Sequence, residues 1–145
     1  MAEAEDRAGH RRSVLLGDFN MNPFEPGMVA ANGLHGVMSR QIVSRISRNV
    51  EGREHHFFYN PMWAHLGDLR SSTSGSCFYD SGSFVNYFWN VFDQVLMRPQ
   101  LAEQFDPTSL RIITSVGARS LVGATGRPDR QSFSDHLPIV FTLSF

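Results

Sequence analysis

The chain has no lysine. All 13 of its basic residues are arginine, which excludes Schiff-base chemistry and a lysine general base. Arginine-only usage suits bidentate phosphate recognition, and a GC-rich coding sequence accounts for it equally well. Cysteine is almost as scarce. With Cys77 alone, no internal disulfide can form, and a reducing, cytoplasmic setting is the expectation. Cys77 itself reads as a small buried apolar residue. Net charge is −1, so the chain as a whole carries no electrostatic footprint for nucleic acid. No apolar run approaches the roughly 18 residues of a membrane-spanning helix. The first residues, Met1 to Arg7, are acidic and lack the apolar centre of a signal peptide. An apolar fraction of 41% argues against general disorder. Residues 1–145 read as a single domain, with 1–13 as a helix remnant or tail.

The chain is organised around Val14-Leu15-Leu16-Gly17-Asp18-Phe19-Asn20-Met21-Asn22-Pro23. Three consecutive apolar residues predict a strand buried on both faces, and Asn22-Pro23 predicts a turn. On a continuing strand, Asp18 and Asn20 project from the same side. An acid and an amide at a strand end suit a metal ion and a phosphate; a plain polar turn has the same sequence. At the other end, Phe133-Ser134-Asp135-His136-Leu137 sets an acid beside an imidazole just before a final apolar strand. Between them, Trp89 to Met97 embeds Asp93 in an apolar run, and an acid so placed needs a partner.

Gly17-Asp18-Phe19-Asn20, Asp93 and Ser134-Asp135-His136, in that order, resemble the late motifs of the endonuclease/exonuclease/phosphatase superfamily, which includes deoxyribonuclease I. The resemblance runs from Val14 to the C-terminus. It implies metal-dependent hydrolysis of a phosphoester, with nucleic acid among the substrates. Asp18, Asn20, Asp93 and His136 would be catalytic. Asp135 and Asp18 would lie at a magnesium (or manganese) ion. Asn20 would contact phosphate, and His136 would be oriented by Asp93. The early Asn and the metal-binding Glu of that superfamily have no counterpart here. The expectation is therefore the C-terminal half of such a domain, weakly active or inactive alone, and completed by the other half or by self-association through an open sheet face. The implied fold class is α/β or α+β, a mixed sheet with short flanking helices, as in half of a four-layer sandwich.

Calcineurin-type metallophosphatases also carry Gly-Asp, but their later Gly-Asn-His-Asp or Gly-Asn-His-Glu is missing. A non-catalytic binding or assembly fragment of the same fold is the reading from a different class.

The remaining elements follow from local pattern. A helix end is predicted over Glu3–Arg12, short helices over 27–32 and from Arg40 to about Arg48 behind a Ser39 cap, and another over 100–105. Arg40, Arg45 and Arg48 read as a solvated face. Strands are predicted near 57–59, 91–97, 110–114 and 137–145, with loops over 69–76 and 116–126. His55 and His56 read as surface histidines. The aromatics of Cys77–Trp89 read either as core or as a platform for a base or sugar. Arg127 and Arg130, just before Ser134-Asp135-His136, are placed to meet an anionic substrate.

Overall fold

The computed structural model describes residues 2–69 and 71–145. Twelve strands run in chain order: β1 (Val14–Asp18), β2 (Gly36–Val37), β3 (Ser47–Val50), β4 (Arg53–His56), β5 (Phe58–Tyr59), β6 (Cys77–Tyr79), β7 (Phe88–Asn90), β8 (Asp93–Met97), β9 (Phe105–Ile112), β10 (Ser115–Val116), β11 (Arg119–Ser120) and β12 (Ile139–Leu143). The helices are short: α1 (Ala2–Ala8), α2 (Pro26–Val29), α3 (Arg40–Val43) and two 3₁₀ turns, Pro61–His65 and Pro99–Leu101. The chain is thus a small α+β fold. No helix of the described residues is long and apolar enough to cross a membrane.

The central sheet is mixed, in the order β1-β8-β5-β2. β8 runs antiparallel to β1, with Val14 opposite Met97 and Asp18 opposite Asp93. β2 and β5 are parallel. The sequence of β8 explains its central place. Val95, Leu96 and Met97 are all fully buried; Val95 and Met97 face one side and Leu96 the other. The first side packs against Phe105, Leu110 and the partly buried Ile139, Phe141 and Leu143. These belong to the β9–β12 pair, so a second, two-stranded sheet covers this face. On the other side Leu96 meets Phe58 and Met28, so α2 forms the opposite layer. The open sheet face expected of a half-domain is therefore covered at β8.

β1 departs from expectation. It is the edge of the sheet, and Leu16 is 59% exposed, so this strand is not buried on both faces. Three apolar residues in a row cannot distinguish an edge strand from a central one.

The helix expected to run to Arg48 lasts one turn. Ser39 Oγ does accept from the Ile42 backbone N–H, but Ile46 has φ 69°, and the chain turns into the β3–β4 hairpin. Glu51 and Gly52, at φ 51° and 78°, supply the paired left-handed residues of a tight hairpin turn. Arg45 is solvated as expected, but Arg40 and Arg48 also make specific contacts. Arg40 donates to the Phe105 carbonyl at 2.9 Å and lies over the Tyr59 and Phe105 rings; Arg48 donates to His35 Nε2 at 2.8 Å. His55 and His56 are half-buried rather than superficial, and His55 Nδ1 bonds the Ala31 carbonyl at 2.7 Å. The helix expected over 100–105 is one 3₁₀ turn, because Phe105 already pairs with Leu143. Residues 115–120 form a small hairpin inside the stretch expected as loop.

α1 is a docked helix, not a tail. Glu5 and Arg98, both almost fully buried, form two N–H···O bonds of 2.8 Å. Arg98 also donates to the Phe57 and His56 carbonyls and sits 3.9 Å above the Phe58 ring. Burial raises the Glu5 carboxyl, but hydrogen bonds from Arg98 and Ser13 and the charges of Arg98 and Arg11 outweigh it, leaving a net downward shift.

Candidate active site

The site lies at one end of the β1–β8 ladder. Pairing puts Asp18 directly opposite Asp93, and the Phe19 N–H still donates to the Phe92 carbonyl at 2.9 Å. The strand then stops. Asn20 has φ 50°, a left-handed conformation that asparagine tolerates better than most residues. Its backbone N–H returns to Asp18 Oδ1 at 2.8 Å, closing an Asx-turn. Asp18 and Asn20 are thus joined across a turn instead of lying side by side on a continuing strand.

Buried amides hold this turn against β8. Asn22 Oδ1 accepts the Val91 N–H at 2.9 Å, and Asn22 Nδ2 donates to Asn90 Oδ1 at 2.8 Å. Gln94 Nε2 donates to the Met21 carbonyl at 2.5 Å, and Gln94 Oε1 accepts from Asn60 at 2.8 Å. Asn22, Asn60, Asn90 and Gln94 are all at most 5% exposed, and each buried amide finds a partner, as burial requires.

Ser76 joins β8 to the C-terminal motif. Its hydroxyl accepts the Asp93 N–H at 3.2 Å, and its carbonyl accepts the Leu137 N–H at 2.7 Å. Cys77 bridges His136 in antiparallel fashion, and Ser134 Oγ accepts the His136 N–H at 3.0 Å. These contacts deliver the imidazole to the aspartate: His136 Nδ1 stands 2.8 Å from Asp93 Oδ2. A carboxylate partner makes Nδ1 the protonated nitrogen and leaves Nε2 with the free lone pair. Both side chains are about a quarter exposed or less, partly shielded yet reachable.

His136, Asn20, Asp135, Arg127 and Arg130 line one cleft of about 640 Å³. Asp18, exposed, adjoins this lining through its bonds to Asn20, and Asp93 through its bond to His136. The expected residues are therefore brought together from both ends of the chain. Arg127 sits over the Phe78 ring, its guanidinium carbon 3.9 Å from the centroid. Burial pushes the Cys77 thiol up to about 11, aided by the charges of Asp135, Asp93 and Asp18. Burial first, and these charges second, keep the thiol protonated and inert.

Among the described residues, no three His, Cys, Asp or Glu side chains are disposed together to hold a metal ion. The donors at the cleft, Asp18 and Asp135 with the Asn20 amide, are hard oxygen ligands. They fit magnesium in kind, since that ion often takes only one or two carboxylates and completes its shell with water and substrate phosphate.

Several residues here escape a linear reading. Ser76, Asn22, Asn90 and Gln94 position the site, and Phe78, Tyr79 and Asp80 wall it. Amides within apolar strands, such as Asn90 and Gln94, were the available signal, because a buried amide implies a partner. The aromatics of the β6–β7 hairpin do not serve as core. Tyr79, Phe84, Val85, Tyr87 and Phe88 are all exposed, Phe84 completely. The chain matches no protein-family model, no curated protein and no solved structure with which it was compared.

Proposed function

We propose that this chain is a metal-dependent phosphoester hydrolase of the endonuclease/exonuclease/phosphatase kind. The Asp93–His136 bond of 2.8 Å carries this reading, because it joins two of the three motifs across 43 residues of chain and leaves Nε2 available at a cleft. Arg127 and Arg130 bind and orient the anionic substrate. Asn20 donates its amide N–H to a phosphoryl oxygen. His136, oriented by Asp93, accepts a proton at Nε2 from the attacking water, a role worth about 10²–10⁴ in rate. Asp18 fixes the Asn20 turn and adds negative charge beside Asp93. Asp18 and Asp135 would hold magnesium or manganese, which when bound polarises a phosphoryl oxygen. With no counterpart in this sequence of the superfamily's early Asn and metal-binding Glu, turnover by the chain alone would be slow.

The test is hydrolysis of bis(p-nitrophenyl) phosphate and of nicked DNA with Mg²⁺ or Mn²⁺, comparing wild type with His136→Ala. Metal-dependent turnover lost in His136→Ala supports the reading. Turnover equal in the two proteins refutes it. The exposed β6–β7 aromatics favour a second reading, a non-catalytic binding module. That reading gains if neither protein turns over substrate and wild type takes up no Mn²⁺.

A further inference from the structure

A second cavity opens at the opposite edge of the central sheet, where α3 and β2 meet. Its volume is about 590 Å³, within the range of small-molecule sites. It shares no lining residue with the cleft beside His136. Val29, Val37, Met38, Ile42, Phe57 and Trp63 give it an apolar wall. Met38 is 59% exposed and Ile42 38%, so apolar surface stands open to water where the fold could have placed polar side chains.

Charge at this cavity has one sign. Arg45 and Arg48 lie among the lining residues, and no Asp or Glu does. The Arg45 guanidinium has no hydrogen-bond or ion-pair partner among the described residues. Arg48 uses its Nε–H on His35 Nε2 at 2.8 Å, which leaves its terminal N–H groups for another acceptor. His35 is buried and stacks on Phe57 with ring centroids 4.4 Å apart. Because Nε2 accepts from Arg48, the His35 ring is neutral and adds no charge. The fixed positive charge therefore comes from the two arginines alone, beside an apolar wall.

We infer that the cavity between α3 and β2 binds a small amphipathic carboxylate, its apolar body against Met38, Ile42 and Trp63 and its carboxylate on Arg45 and Arg48. Apolar contact alone would accept an alcohol or a cation of the same chain length; the arginines select the anion. Trp63 provides the readout. In a Trp89→Phe background it is the sole tryptophan, since the chain has two.

The experiment titrates decanoate, decanol and decyltrimethylammonium, each below its micellar concentration, while following Trp63 fluorescence. Decanoate should give a saturable change with one site per chain, decanol should bind about tenfold or more weakly, and the ammonium should not bind. Arg45→Gln, at an exposed position that stability does not depend on, should weaken decanoate by about tenfold and leave decanol unchanged. Ile42→Glu should abolish both. Equal binding of decanoate and decanol, decanoate affinity unaltered in Arg45→Gln or in Ile42→Glu, or no saturable change at all would overturn the assignment. None of these readings depends on hydrolysis at His136.

Discussion

Removing either member of the Glu5–Arg98 pair should destabilise the protein unequally. Deleting one partner of a buried ion pair typically costs about 3–5 kcal/mol, because the other charge stays buried alone. Here the two sides differ. Glu5 is the one buried residue among those of α1 whose side chains are described. In Glu5→Ala, α1 can lift away and admit water to Arg98, so the loss is capped at about 2–3 kcal/mol, at or below the lower bound of that range. Arg98→Met is more costly. It strands Glu5, relieved only in part by Arg11 at 3.6 Å and by Ser13, and it also strips the hydrogen bond from the Phe57 carbonyl and one of those at the His56 carbonyl, which keeps His35 Nδ1 at 3.3 Å. The unpaired Phe57 carbonyl adds about 1–3 kcal/mol, which puts Arg98→Met at roughly 4 kcal/mol or above. Urea unfolding followed by far-UV circular dichroism measures both, and the Glu5→Leu/Arg98→Met double variant should recover part of the loss. If Glu5→Ala costs as much as Arg98→Met, or neither exceeds about 1 kcal/mol, as for an exposed pair, the reasoning fails.

Three further outcomes are expected. Asp93→Asn should leave the unfolding midpoint nearly unchanged while lowering any metal-dependent hydrolysis by about 10²–10⁴, since His136 loses its orienting acceptor; an unaltered rate would remove Asp93 from the site. Gly75→Ala should destabilise by about 1–3 kcal/mol, because its Cβ would meet the Asn90 carbonyl oxygen at 2.5 Å, and a midpoint equal to wild type would contradict that packing. Burial lowers the pKa of His35, His56 and His65, assisted at His35 by Arg48 and at His56 by Arg11. The unfolded chain therefore binds protons that the folded one does not, so stability is full above about pH 6.5 and falls as pH drops below it. Midpoints measured from pH 8 to pH 5 should decline; a flat profile would show these rings to be solvated.

Where sequence reading succeeded, the signal was chemical and sparse. Asp93 alone among apolar neighbours demanded a donor, and His136 beside Asp135 was the nearest candidate in kind. Where it failed, the deciding contacts were distant. Ile42, Val43 and Ile46 keep helical spacing, yet only Val43 reaches the core, and Ile46 turns left-handed to start a hairpin. Leu16 follows two apolar residues and Leu96 sits between two, but one lies at a sheet edge and the other at its centre, and strand order is not written in either segment. The hairpin aromatics misled for a similar reason. Apolar character predicts burial only if some other element arrives to cover it, and none of the described elements covers Phe84.

The amides behind the cleft have a consequence for any kinetic experiment. Asn22, Asn60, Asn90 and Gln94 carry no charge and do not titrate, so the scaffold under Asp18 and Asn20 keeps one shape from mildly acid to alkaline conditions and is indifferent to ionic strength. An ion-paired scaffold in that position would loosen on protonation, and its distortion would blend into the rate. Across the range where the fold is intact, a pH–rate curve for this site is therefore a direct titration of the groups that meet the substrate, and a change with salt reports on Arg127 and Arg130.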